Sequence, residues 1–493
     1  MLTKDKISVF GLVTGLIIFL IFFLIEPPNG LDRISWLTAG IAILMTVWWV
    51  TEAVPIYATG LLPLVLFPLL GIFEIKIVSS SYAHPLVLLF LGGFIIASAM
   101  ESSGLHKRIA LKILSLSGTS PSKIIAGFMF TTAMLSMWVS NTASTIMMLP
   151  IAVSVIKIFS KKNGLKKNDF TVPLLLSIAY SASIGGTATI IGTPTNIMLA
   201  SILSDTYQFN IGFIEWFIIG FPIVLILLPV VWFFLNKVTY KVSSEKSLVL
   251  EKVLTDLNKS IGKASKREKV VAIIFFVTAI LWIFRKMLNN ILEISLNDTS
   301  IGIMGALMLF IIPTGKKERA CNWETANKIP WGVLFLVGGG IALSNAFRSS
   351  GLAEWIGSFS IYLYGLDVYI LILVSVLVII FLTELNSNTA TVATFTPILI
   401  IFAIGLEINP LFFVIPTTIA ASCAFMLPIA TPPNAVVFGS GKLEIKDMIR
   451  TGISLNVIAA LIVSVLSVLI LNIVFDYEML GVPSWFVETE INN

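Results

Sequence analysis

Apolar stretches recur from one end of this chain to the other, most of them long enough to cross a bilayer, and no soluble core could absorb them. They lie near 7–25, 34–53, 56–73, 86–105, 171–200, 211–235, 269–286, 299–313, 330–350, 410–440 and 450–475. Only 12% of the 493 residues are charged, about half the share found in soluble domains. In lipid the backbone must satisfy its own hydrogen bonds, so the expected fold is an all-α membrane protein. Lys4 and Lys6 precede an apolar run that reaches Ile25. No small-residue cleavage site follows before Glu26-Pro27-Pro28, so this run reads as a first span and not a removable signal.

Two further apolar stretches, 121–157 and 363–404, are too long for one helix, and each carries a Ser-Asn-Thr-Ala tetrad near its middle, at 140–143 and 387–390. Lys107, Arg108 and Lys112 precede the first stretch, and Lys157, Lys161, Lys162, Lys166 and Lys167 follow it. Basic residues at both ends place both ends in the cytoplasm, so the stretch turns back at Ser140-Asn141 as a re-entrant hairpin. Glu354, Asp367 and Glu407 flank the second stretch with no basic residue close by, which makes it the mirror case, entering from outside. The lysine-rich linker 236–268, the loop with Lys316, Lys317 and Arg319, and the segment with Lys442, Lys446 and Arg450 then fall inside. The tail with Asp476, Glu478, Glu488 and Glu490 falls outside. The expected topology is eleven spans and two hairpins in a cell membrane, N-terminus in and C-terminus out. Only the turn after the second span, which has Glu52 and no basic residue, lacks a charge to orient it.

An internal repeat underlies this plan. Residues 92–105 align without gaps on 339–352, and 140–150 on 387–397, both at an offset of 247, with 7 of 14 and 5 of 11 positions identical. The matches include Ser, Asn, Gly and Pro and not only interchangeable aliphatics. Five spans separate equivalent points, so the halves are expected to be inverted, the architecture of secondary transporters with a site at mid-membrane. The repeats read as 34–235 and 269–476, after an N-terminal helix at 1–33 and before a tail at 477–493. A third pair joins the tetrads: Gly192-Thr193-Pro194-Thr195-Asn196 and Ala430-Thr431-Pro432-Pro433-Asn434. Proline and threonine inside apolar spans break the helix, which is tolerable only around a cavity.

Four interruptions therefore converge, and each supplies a helix N-terminus whose free amides attract anions. Asn141, Thr142, Asn388 and Thr389 can donate to anionic oxygens without fixed charge. Hydroxyls and freed carbonyls suit sodium, and Ser136, Ser140 and Thr383 stand in the right places; Ser136 precedes Asn141 by five residues as Thr383 precedes Asn388. The tetrads hold no lysine or arginine, so an anion there needs co-bound cations. Of the charges near the spans, Glu384 is expected to stabilise the second hairpin or a cation site, Glu52 and Arg348 to snorkel, and Glu101 to pair with Lys107 or Arg108.

Other classes find no support. Cys321 and Cys423 lie far apart, and His84 and His106 fall at loop edges, so neither a disulfide framework nor a zinc or haem site is expected. An enzyme would need a nucleophile–base pair or metal ligands at membrane depth, and a channel would more typically be a symmetric oligomer. The net charge of +5 comes mostly from loops and reads as topology, not as a nucleic-acid surface.

These residues resemble the divalent anion/sodium symporter family. The likeness rests on Trp48-Trp49-Val50-Thr51-Glu52-Ala53-Val54-Pro55, Phe90-Leu91-Gly92-Gly93-Phe94 leading to Ala99-Met100-Glu101, Gly104-Leu105-His106, both tetrads and both Thr-Pro breaks. The resemblance implies a homodimer, each protomer having a scaffold domain and a transport domain that moves like an elevator. It implies one sodium site at Ser136, Ser140, Asn141 and Gly192, and a second at Thr383, Asn386, Asn388 and Ala430. It places substrate carboxylates against Asn141, Thr142, Thr193, Asn388, Thr389, Thr431 and Pro432. Two departures stand out: Thr195 replaces a usual second proline and is expected to relax the first break, and Asn386 replaces a smaller residue and is expected to alter size preference. The expected activity is sodium-coupled uptake of C4-dicarboxylates such as succinate, malate or fumarate, with no cofactor beyond co-transported sodium. A sodium-independent exchanger, or a citrate or sulfate carrier of the same fold, is the alternative.

Overall fold

The computed structural model describes residues 4–28, 30–163, 167–259, 262–315 and 318–483. Among them the regular structure is helical, apart from two isolated bridges, Pro313 with Arg319 and Ile408 with Leu480. Lys166, Lys316, Lys317, Glu488 and Glu490, on which the expected topology partly rests, lie outside the described residues.

Helices α1 (Lys4–Leu24) and α2 (Arg33–Thr51) form an antiparallel pair. Glycine at position 15 lets them touch, because a Cβ there would stand 2.7 Å from the Trp48 indole nitrogen. Asp32 starts α2 by accepting the Ser35 amide at 2.6 Å. The expected span 56–73 is instead two short helices, α3 (Ile56–Thr59) and α4 (Leu62–Leu69), followed by α5 (Ile75–Tyr82). Apolar composition alone misses this division, which falls at Gly60-Leu61 with Pro63 and Pro68 beyond. Next come α6 (Pro85–Ser103) and α7 (Leu105–Leu116), which meet at Gly104, where φ is +81°. That left-handed geometry suits a residue without a Cβ.

The first hairpin is α8 (Pro121–Ser136) and α9 (Asn141–Asn163), and the first broken span is α10 (Lys167–Gly186) and α11 (Pro194–Tyr207). Helix α12 (Phe213–Phe233) runs directly into a π-helical turn, Phe234–Thr239, so the expected boundary at 235 falls within continuous helix. The linker holds a helix of its own, α13 (Leu248–Lys259), before α14 (Lys266–Leu292), α15 (Asp298–Ile311) and α16 (Trp323–Ala326). Then follow α17 (Trp331–Ser349), α18 (Leu352–Gly357) and a 3-10 turn, Ser358–Leu363. The second hairpin is α19 (Val368–Thr383) and α20 (Asn388–Gly405), and the second broken span is α21 (Leu411–Ala421) and α22 (Pro432–Phe438), ahead of the closing α23 (Ile445–Ile473). Among the described residues eight helices are long and apolar enough to cross a membrane, or nine if the pair bent by 120° at 364–367 is one span. Several of the expected stretches are divided, 171–200 and 410–440 at their Thr-Pro breaks as expected and 56–73 at Gly60-Leu61.

The offset of 247 that relates the sequences also relates helix ends. Leu105, Pro121, Ser136 and Asn141 correspond to Leu352, Val368, Thr383 and Asn388, and all eight begin or end helices. Gly104 and its counterpart Gly351 both have positive φ, +81° and +77°.

Burial sorts the helices by what they face. On α14 the exposed residues Ile273, Phe276, Val277, Ile280, Ile283, Phe284 and Met287 form one stripe, opposite buried Val271, Ile274, Thr278 and Trp282. An exposed apolar stripe of that kind fits lipid contact. By contrast every residue from 170 to 203 except Pro194 is buried, although nine of the polar ones are Ser, Thr or Asn between Ser177 and Ser201. The α10–α11 span is thus the core around which the hairpins pack.

Two expected charge placements are corrected. Arg108 does not serve Glu101: it binds Glu268, Nε to Oε1 at 2.8 Å, joining α7 to the first turn of α14. Arg348 does not snorkel outward: its guanidinium donates to the Thr206 carbonyl and lies 5.4 Å from the Tyr207 ring centroid, covering the end of α11. Beside it Asn345 donates to Asp205, whose other oxygen lies 3.7 Å from His84 Nε2.

Candidate functional site

Both tetrads lie where expected, at the turn between two hairpin helices, with Asn141 opening α9 and Asn388 opening α20. Serine precedes each, and the Ser140 hydroxyl accepts the Ala143 amide at 3.3 Å as an N-terminal cap. Both breaks also lie where expected: Thr193 and Thr431 are extended (φ −143° and −139°), and Pro194 and Pro432 follow as first helical residues. Proline suits that position, because its fixed φ is helical and its missing N–H is not needed. The Thr431 hydroxyl caps α22 by accepting the Asn434 amide at 3.2 Å. Four helix N-termini therefore occupy the positions where anion-binding donors were expected.

The first hairpin tip packs on the first break. Ser136 Oγ lies 2.6 Å from Asn141 Oδ1 and 2.7 Å from the Ala182 carbonyl, and Thr189 Oγ1 donates to the Met137 carbonyl at 2.5 Å. A Cβ on Gly186 would strike Asn141 Oδ1, and one on Gly192 would strike the Gly186 carbonyl. Ser136, Asn141, Gly186 and Gly192 are thus one cluster, in which two acceptor oxygens compete for a single hydroxyl proton. That surplus of lone pairs suits a cation. Thr142 and Ser140 are half-buried beside it, and Thr193 is buried.

The second tip packs on the second break by different means. Glu384, 2% exposed, accepts the amides of Met426 and Leu427 at 2.8 and 2.9 Å and Asn456 Nδ2 at 2.6 Å. Its first-repeat counterpart is Met137, so this anchor belongs to one half only. Thr383 also departs from its counterpart Ser136: its hydroxyl donates to the Ile380 carbonyl at 2.9 Å. Asn388 Oδ1 is consequently buried without a hydrogen-bond partner. Asn386 is engaged locally, its Oδ1 accepting the Ser387 amide at 2.8 Å and its Nδ2 lying 3.4 Å from Thr391 Oγ1. Thr389, Ala430 and Thr431 are buried, while Pro432 is exposed.

The breaks also touch one another. Thr195 Oγ1 lies 3.2 Å from Ser422 Oγ, and Tyr180 donates to the Phe425 carbonyl at 2.9 Å. Thr195 therefore ties the first break instead of relaxing it. Among the predicted residues, Ser136 and Asn141 are in direct contact and Gly192 joins them through Gly186, and no hydrogen bond joins one tetrad to the other. Gly186, Asn456 and Ser422 stand outside the site residues expected from sequence. Gly186 ends α10 one residue after Gly185 inside an otherwise apolar span, a signal that was available; Asn456 and Ser422 carry no local signal.

Comparison with known proteins fits this geometry. The sodium:sulfate symporter transmembrane region matches residues 6–475. The sodium-dependent dicarboxylate transporter SdcS of Staphylococcus saprophyticus is 39% identical over 471 residues, covering 92% of this chain and 89% of the relative. SdcS of Staphylococcus aureus strain MRSA252 is 40% identical over 484 residues, covering 95% and 92%. Two solved transporters share the fold at low identity. Neisseria gonorrhoeae MtrF has a TM-score of 0.59 at 13% identity, covering 91% of this chain and 96% of its own. Alcanivorax borkumensis YdaH has a TM-score of 0.56 at 14% identity, covering 97% and 98%. A family match over nearly the whole chain, with relatives this similar end to end, establishes that the protein belongs to the sodium:sulfate symporter family, as an integral membrane transporter.

Proposed function

We propose that this protein couples inward sodium flow to uptake of C4-dicarboxylates such as succinate, malate or fumarate. The observation that carries the sodium part is Asn388 Oδ1, a buried acceptor with no donor, matched in the other repeat by the proton-poor Ser136–Asn141 pair. Buried polar atoms are ordinarily satisfied, and an acceptor left open at a hairpin tip, with no basic side chain in the tetrad, is able to take a cation. In this reading Ser136, Ser140, Asn141 and Gly192 hold one sodium ion, and Thr383, Asn386, Asn388 and Ala430 a second. Asn141, Thr142, Thr193, Asn388, Thr389, Thr431 and Pro432 face the dianion. The substrate class is taken from the SdcS relatives, which are named for dicarboxylates.

The same reading makes the halves inverted repeats, with the N-terminus inside and the C-terminus outside, and the working unit a homodimer. The core of α10–α11, α21–α22 and the hairpins moves against a scaffold, and no chemical step is catalysed. Radiolabelled succinate uptake by purified protein in proteoliposomes tests the proposal. Uptake should require sodium, be competed by malate and fumarate, and resist excess sulfate. Uptake unchanged when choline replaces sodium overturns symport, and dominant competition by sulfate overturns the substrate class.

A further inference from the structure

The two helix breaks share a feature that none of the proposed ligand sets includes. Asn196 Nδ2 reaches back to the carbonyls of Gly186 at 3.2 Å, Thr187 at 3.3 Å and Thr189 at 2.9 Å. Asn434 Nδ2 reaches back to the carbonyls of Ala424 at 3.1 Å and Leu427 at 3.0 Å. In both breaks the acceptors stand ten and seven residues before the asparagine, and 434 − 196, 424 − 186 and 427 − 189 all equal 238. This spacing is nine less than the 247 of the hairpins, because hairpin and break lie nine residues closer together in the second half. Both asparagines are fully buried, in helices that open on the Thr-Pro pairs.

Each clasp meets the backbone of a proposed sodium ligand. The Thr189 carbonyl held by Asn196 also accepts the Gly192 amide at 3.2 Å, and the Leu427 carbonyl held by Asn434 accepts the Ala430 amide at 3.2 Å. The Gly186 carbonyl, also held by Asn196, is the group that a Cβ on Gly192 would strike, and Gly186 itself lies against Asn141 Oδ1. An unwound stretch without such a hold would be free to rotate its peptide groups, and buried carbonyls would lose their donors.

We propose that Asn196 and Asn434 are positioning residues, each clasping the carbonyls of one helix break so that Gly192 or Ala430 presents its own carbonyl to a sodium ion. The inference rests on the assignment of those two residues to the sodium sites. Each acts through the backbone that its Nδ2 holds. Asn196 serves the first site and Asn434 the second.

The test is sodium activation of succinate uptake, paired with sodium-induced thermal stabilisation of the purified full-length protein. Asn196→Ala and Asn434→Ala should each raise the half-saturating sodium concentration about tenfold, equivalent to about 1.4 kcal/mol. The uptake deficit should be recovered by raising sodium, and stabilisation by sodium should shift in parallel. Asn196→Ser and Asn434→Ser, which keep a shorter donor, should give smaller shifts, and they replace any alanine variant that does not accumulate. A fall in maximal rate that sodium does not recover, at unchanged half-saturation, overturns the inference and leaves the clasps purely structural. Asn141→Ala and Asn388→Ala separate the two levels. If they abolish sodium-induced stabilisation and the clasp variants do not shift it, the clasp inference alone fails; if all four leave it unchanged, the site assignment fails.

Discussion

The Thr195 hydroxyl lies 3.2 Å from the Ser422 hydroxyl, both side chains being buried, and this contact joins the first helix break to the end of α21, 227 residues later. The bond holds together two segments that are only partly helical. Thr195→Val or Ser422→Ala should each destabilise the purified protein by about 1 kcal/mol. The double variant should cost less than the sum, because each single change already removes the shared bond. Thermal unfolding in detergent measures this, and strict additivity would sink the pairing.

Asn141 and Asn388 open the hairpin helices at the centre of the proposed site. Asn141→Ala and Asn388→Ala should abolish succinate uptake while leaving the amount of protein in the membrane unchanged. Immunoblotting beside the uptake assay checks both halves of that statement.

Glycine at 186 is predicted to be irreplaceable, since a Cβ there would collide with Asn141 Oδ1. Gly186→Ala should lower uptake at least tenfold. Gly93→Ala is the control: its Cβ would meet Ile191 at an ordinary 3.6 Å, so uptake should stay within twofold. Equal uptake by both variants would remove the steric argument.

Glu384 is met by three donors, so Glu384→Gln would turn an amide NH2 toward N–H groups. It should cost roughly 3 kcal/mol of stability, the scale for hydrogen bonds to a charged group. Asn456→Ala, which removes one of the three, should cost less. Chemical unfolding monitored by tryptophan fluorescence would rank them, and the reverse order would show that the backbone amides contribute little.

Orientation is open to cysteine labelling, because both native cysteines are buried, and burial pushes the Cys321 thiol up, away from its reactive form. In intact cells Ser79→Cys should react with a membrane-impermeant maleimide, and Lys263→Cys only after permeabilisation. The opposite pattern would reverse the proposed topology.

Much of this arrangement is legible in the chain itself. Apolar length announces the membrane, and the offset of 247 places Asn141 and Asn388 at equivalent helix starts. The Thr-Pro pairs at 193–194 and 431–432 coincide with the breaks, although Thr396-Pro397 lies within the continuous α20 and does not break it. Hydropathy fails between 56 and 73, where it registers burial in lipid but not whether one helix runs through, and Gly60 and two prolines decide the matter. Partners distant in sequence are equally hidden. Arg108 has acidic Glu101 only seven residues before it yet binds Glu268, and Glu384 finds Asn456 across 72 residues, since only tertiary packing makes them neighbours.

The surroundings of Glu384 also bear on the order of events. All three of its partners are donors, and neither tetrad nor break contains a lysine or arginine beside it. A doubly negative substrate approaching the empty protein meets a carboxyl group and no basic side chain in these segments. Cations arriving first would supply the missing positive charge, so in the proposed cycle sodium loads before the dianion.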